Sequence, residues 1–204
     1  MKLKHPINLH KGLAFFVVSG LMYYFNNFSL AAQLYLALHG SYGFLWLLKD
    51  RWYPDKKWEE PISVPYAFVV FFSLGLYWAA PVILISQAAE PPKYILFLAV
   101  FLNVWGVFLH FGSDAQKFYT LKFAPALITE GFFASNRNVN YLGEFLIYFS
   151  FSLLAIHWIP FAVLAAFVVF VFLPNMIRKD KSLSRYPEFE AYRKSSGFIF
   201  PKLF

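Results

Sequence analysis

The run Thr129 to Glu144, TEGFFASNRNVNYLGE, sets an arginine, three asparagines, a tyrosine and a glutamate directly before the apolar stretch Phe145 to Leu154. Ionisable and amide groups at the mouth of a membrane helix are expensive to keep there, so such a cluster reads first as a functional site. A second polar series, Asn103, His110, Asp114, Lys117 and Leu121, recurs at steps of 7, 4, 3 and 4 and falls on one helical face. It reads either as a path from bilayer depth to the surface or as a hydrogen-bonded seam between helices. His110 and Asp114 lack a third ligand, so no metal site is expected. Proton chemistry inside a membrane needs a titratable or phenolic group. The first three apolar segments hold no Asp or Glu, which leaves His39 with Tyr23, Tyr24, Tyr35, Tyr42 and Tyr77. His39, Tyr24 and Tyr42 are the proton-donor candidates, although His39 and Gln33 equally suit helix-to-helix hydrogen bonds.

The elements that must position these groups are long and apolar. Of 204 residues, 59% are hydrophobic, 23% aromatic and only 14% charged, which is far from a soluble domain and describes a polytopic integral membrane protein. Tyr66 to Gln87, Tyr94 to Phe111, Leu142 to Ile156 and Pro160 to Met176 can each cross a core of about 30 Å. Leu13 to Phe25 and Leu30 to Leu48, separated by the turn Asn26-Asn27-Phe28-Ser29, make six transmembrane helices in all. The first reaches a comfortable length only if Ile7 to Lys11 extends it. No small-residue cleavage site follows it, so the N-terminus is expected to be retained. The fold class is an all-α helical bundle, one membrane domain over 1–204, with N-terminal spans in 1–99 and a cofactor-binding half in 100–204. The fourth helix is expected to run on to Lys122.

The absence of cysteine excludes disulfides and thiolate chemistry. The net charge of +7 raises the question of nucleic acid, but placement answers it: 17 of the 18 Lys and Arg residues fall on one side of the six-span arrangement, and only Lys93 on the other. That is the positive-inside pattern, and it predicts both termini in the cytoplasm and no nucleic-acid partner. Trp52, Tyr53 and Trp58, beside Lys49, Arg51, Lys56 and Lys57, read as an interfacial anchor. Arg178 to Phe204 reads as a surface amphipathic helix.

GFFASNRNVNYLGE, the preceding Ser113-Asp114-Ala115-Gln116-Lys117 and the later SRYPEFEAYRKSSGFIFP together resemble the steroid 5-alpha-reductase C-terminal domain family. The resemblance covers roughly 100–204, and the same membrane superfamily includes isoprenylcysteine carboxyl methyltransferases and sterol reductases. It implies a cofactor held by the last helices and the tail, with Asp114, Lys117, Arg137, Asn140, Tyr141, Glu144, Arg178 and Tyr192 as the positions carried over. Arg and Lys suit phosphates, while Asn and carboxylates suit ribose hydroxyls or amides. The family's usual His-Pro is here Asn138-Val139, and the paired glutamates of the methyltransferase tail are here Lys179-Asp180-Lys181. Base in place of acid favours a phosphorylated cofactor over a sulfonium. Three readings follow: an NADPH-dependent reductase of a carbon–carbon double bond in a lipophilic small molecule; an S-adenosylmethionine-dependent methyltransferase acting on a lipid or prenylated protein; and a non-catalytic subunit with a membrane-protein partner.

Overall fold

The computed structural model describes residues 1–202, and every regular element within them is helical. Helix α1 (Lys4–Tyr24) and α2 (Leu30–Trp52) form a hairpin. Asn26 takes a left-handed φ of 48°, which asparagine tolerates, and the Ser29 hydroxyl caps α2 by accepting from the Ala32 N–H. Helix α3 (Val64–Gly75) starts behind the Ser63 cap with proline in its first turn and continues through a short 3-10 turn into α4 (Ala79–Ser86). Helix α5 (Lys93–Phe123) follows Pro91-Pro92, and α6 is Val139–Ala155. Helix α7 (Trp158–Phe167) passes through a π turn over Val168–Phe172 into α8 (Leu173–Leu183). Pro174 has no N–H to return to the preceding turn, and the widened turn ends just before it. A short α9 (Phe189–Ser195) precedes the tail.

Three rods, Val64–Ser86, Lys93–Phe123 and Trp158–Leu183, are long and apolar enough to cross a membrane, and Val139–Ala155 is a shorter apolar helix. Helix α1 begins at Lys4, so the extension that Leu13 to Phe25 needed is present and longer than anticipated. Helix α5 reaches Phe123; its 31 residues make a rod of about 46 Å that overruns the hydrocarbon core.

The most extensive helix contact is between α5 and α6. A Cβ at Gly143 would lie 2.5 Å from the His110 nitrogen, and one at Gly106 would lie 2.7 Å from the Gly143 carbonyl, so both positions need glycine for the backbones to touch. Across the bundle, Tyr35, Tyr42, Leu84, Ile147, Tyr148, Phe151 and Leu154 build the buried centre, with Tyr77 stacked on Tyr148 at 3.6 Å. At one end, Asn27 Nδ2 donates to the Ile85 carbonyl (2.9 Å), tying the α1–α2 turn to the end of α4. At the other, Ile62 N–H donates to the Met1 carbonyl (2.8 Å) and Lys117 pairs with Asp55 (2.9 Å). The N-terminus, the 53–63 loop and the end of α5 therefore share one end of the bundle.

The C-terminal segment differs from the single amphipathic helix expected. The chain turns between α8 and α9, and residues 196–202 then bend back on themselves against the loop before α6, so that Gly197 N–H and Lys202 N–H meet the same Ser135 carbonyl. Gly197 N–H donates to the Ser135 carbonyl (2.8 Å) and Arg137 N–H donates to the Gly197 carbonyl (3.0 Å). Asn136 Nδ2 reaches the Ile199 carbonyl (2.7 Å) and Asn138 Nδ2 the Phe198 carbonyl (2.9 Å). Buried amides from SNRN are thus spent on a segment without internal hydrogen bonds of its own, which explains why it does not stay helical.

Candidate functional site

The carried-over residues gather at the end of the bundle where α5, α6 and α8 meet the tail, and most are already paired. Lys49 and Asp114 form an ion pair of 3.1 Å with side chains 2% and 8% exposed. Lys117 holds Asp55; burial would raise that carboxyl, but the Lys117 ammonium beside it brings it below its ordinary value. Arg137 sits just before the Asn138 cap of α6, so it does not share a helical face with Glu144 as an extended helix would have required. Its Nε donates to Asp180 (3.1 Å), and one Nη donates to the carbonyls of Arg193 (3.2 Å) and Ser196 (2.5 Å). Lys179 is equally committed, giving its ammonium to the Arg137 carbonyl at 2.5 Å. The Tyr192 hydroxyl donates to the Phe133 carbonyl (2.7 Å), and burial pushes that phenol up to about 12.

The seam reading accounts for the upper part of the polar stripe. Asn103 Nδ2 donates to Ser150 Oγ (3.0 Å), and His110 Nδ1 meets the Asn140 carbonyl (3.0 Å), both across the α5–α6 contact.

What stays uncommitted lies on α5, α6 and α8. Asn140 Oδ1 and His110 Nε2 are buried with no partner among the described residues. Glu144, one turn after Asn140 and half-buried, makes no ion pair among them either. Tyr141 leans on Phe172 (5.4 Å between ring centres), and Arg178 is exposed, its side chain bonded among the described residues to its neighbour Asn175 alone (2.7 Å). An orphaned amide, a free carboxylate and an exposed guanidinium fit the amide or ribose part of a dinucleotide and one phosphate. The other cations expected to meet phosphates, Lys117 and Arg137, are taken up within the chain.

The proton-donor candidates separate. Tyr24 is 80% exposed at the α1–α2 turn, the end of the bundle away from Arg137. His39 is fully buried, stacked on Phe151 at 4.4 Å, with Nδ1 3.1 Å from the Tyr35 hydroxyl. Tyr42 belongs to the most unusual cluster in the molecule, and the sequence reading missed its centre. Lys11 is 2% exposed, and its ammonium donates to the hydroxyls of Tyr42 (3.2 Å) and Tyr148. It also lies 4.6 to 4.8 Å from the ring centres of Tyr42, Trp46 and Tyr148. It forms no ion pair among the described residues. A desolvated cation gains about 2 kcal/mol from such a ring face, against a desolvation cost of several kcal/mol. Glu144 stands one turn from Tyr148 on α6, between this cluster and the mouth.

In the sequence Lys11 stands out only as one of the basic residues on the 17-residue side. Its spacing to Ala14, Val18 and Met22, steps of 3, 4 and 4, marked it as a buried-face position once the helix is known to begin at Lys4.

An all-helical bundle with three bilayer-length apolar rods and a polar, partly unsatisfied mouth belongs to the class of helical membrane proteins. The chain is a member of the family described as Protein of unknown function (DUF1295), whose pattern matches residues 47–196. None of the curated proteins matches it.

Proposed function

We propose that this protein is a membrane-embedded reductase that uses NADPH to saturate a carbon–carbon double bond in a lipophilic substrate. In this reading six helices cross the bilayer and both termini face the cytoplasm, as the placement of 17 of 18 basic residues supports. The observation that carries the reading is the Lys11–Tyr42–Tyr148 cluster, whose Tyr148 lies one helical turn below the uncommitted Glu144 and two below Asn140. NADPH supplies the hydride, and the charge left on the reduced substrate needs a proton. Each phenol accepts from the Lys11 ammonium through an oxygen lone pair, so that contact spends no phenol proton. The same positive charge steadies the phenol oxygen after it gives its proton up. His39 and Tyr35 form a second buried donor pair nearby, linked to Tyr42 through Phe151. Tyr24, at the other end, has no part in this arrangement. Asn140, Glu144 and Arg178 hold the cofactor; Asp114, Lys117, Arg137 and Tyr192 position the elements that present them.

A second reading, a non-catalytic partner in a membrane assembly, is favoured by one fact: Asp114, Lys117 and Arg137 already pair with Lys49, Asp55 and Asp180. Thermal unfolding of the purified protein separates the readings. Ligand at about 100 times its Kd adds roughly 2.7 kcal/mol of stability. A shift with NADPH that Glu144→Gln abolishes supports the reductase; a shift with S-adenosylmethionine alone supports the methyltransferase; a shift with neither supports the partner reading.

A further inference from the structure

A cavity of about 540 Å³ opens between the end of α8, α9 and the tail. Arg137 of the candidate site borders it, but the Lys11 cluster, Asn140 and Glu144 do not line it. Apolar Ile177, Phe189 and Phe198 line it together with the cations Lys181 and Arg193, the carboxylates Asp180 and Glu190, the Arg137 already bound to Asp180, and Ser184. The apolar rod Trp158–Leu183 ends here and the basic run RKDKSLSR begins, so the cavity lies where the hydrocarbon of a bilayer gives way to headgroups.

Its polar groups are unequally satisfied. Asp180 gives one oxygen to Arg137, while its Oδ1 is buried with no donor among the described residues. The Lys181 ammonium makes no hydrogen bond or ion pair among them, and Arg193 has only a loose, exposed contact of 3.7 Å with Glu190. The site therefore offers an acceptor that wants an N–H and, beside it, two cations that want an anion. A ligand with a primary ammonium a few bonds from a phosphate and an apolar tail meets all three demands. A quaternary ammonium has no N–H to give, and a bare phosphate leaves Asp180 unsatisfied.

We propose that this cavity is a binding site for a phospholipid headgroup bearing a primary ammonium, with the ammonium on Asp180 Oδ1, the phosphate on Lys181 and Arg193, and the first methylenes against Phe189 and Phe198. The lipid seats the α8–α9 corner at the membrane surface. The proposal is independent of the reductase reading.

The test is native mass spectrometry of the full chain in mild detergent, titrated with short-chain phosphatidylethanolamine, phosphatidylcholine and phosphatidic acid, with free phosphoethanolamine and with NADPH. Phosphatidylethanolamine should bind at least about tenfold tighter than each of the others, the difference worth one satisfied hydrogen-bonding group. Lys181→Gln and Ser184→Phe, both at exposed positions, should lower that affinity about tenfold with unchanged circular dichroism. Equal binding of phosphatidylcholine or phosphatidic acid overturns ammonium recognition. Equal binding of phosphoethanolamine overturns the lipid source. Displacement by NADPH assigns the cavity to a cofactor instead, and binding that survives Ser184→Phe, or no binding at all, also overturns the proposal.

Discussion

Lys49 on α2 and Asp114 on α5 are locked together at 3.1 Å, with the Lys49 ammonium 4.5 Å from the ring centre of Trp58. One pair thus joins two helices and folds the 53–63 loop onto them. Asp114 was expected at a cofactor; the structure gives it a structural partner that suffices for its charge. Removing one member leaves the other buried and alone, so Asp114→Ala should cost about 3 to 5 kcal/mol. The double change Lys49→Met with Asp114→Leu should recover most of that loss. The measurement is the thermal midpoint of each purified variant, and a single variant as stable as the wild type would remove this pair from the account.

Tyr192 predicts an alkaline transition. Its folded-state value of about 12 lies above the ordinary 10.0, so its contribution is complete below pH 10 and is lost as pH rises from 10 to 12. Wild type should lose stability over that window more steeply than Tyr192→Phe, which has no phenol to ionise. Parallel curves for the two proteins would show that the phenol does not govern the transition.

The helical segments were readable because apolar runs are interrupted by turn residues that break them: Asn26-Asn27, Pro91-Pro92 and the stretch after Phe123. The overrun of α5 was readable from one-face spacing. Two features were not. Whether Lys11 faces lipid headgroups or the core depends on where α1 begins, and Lys2 to Asn8 carries no cap signal, so the face stayed undetermined. The tail's path depends on polar contacts between 133–138 and 192–202, about sixty residues apart, and no local period records such pairing.

The six-span arrangement makes a labelling prediction that the natural absence of cysteine simplifies. Lys56, Lys194 and Glu90 are exposed, and the first two sit at the Arg137 end. Single cysteines at Lys56 and Lys194 should react with an impermeant reagent from the cytoplasmic side, and one at Glu90 from the opposite side. Reaction of Lys56→Cys and Glu90→Cys from the same face would sink the topology.

Lys11 separates a structural ammonium from a working one. Buried charges held only for packing are often replaced by apolar residues at no loss, or with a gain of 1 to 4 kcal/mol in rough terms. Lys11→Met keeps the length of the side chain among Tyr42, Trp46 and Tyr148, so it should fold and melt at or above the wild-type temperature. Because Lys11 lies below the mouth where Asn140 and Glu144 are uncommitted, NADPH affinity should be unchanged as well. Oxidation of NADPH in the presence of extracted membrane lipid should nevertheless fall by about 100-fold, because the phenol gives up its proton poorly without the charge that steadies its oxygen, and Tyr148→Phe, which removes a donor, should show the same split. Full turnover by a stable Lys11→Met protein would mean that the ammonium serves the fold alone, and the donor would then have to be sought at His39 and Tyr35.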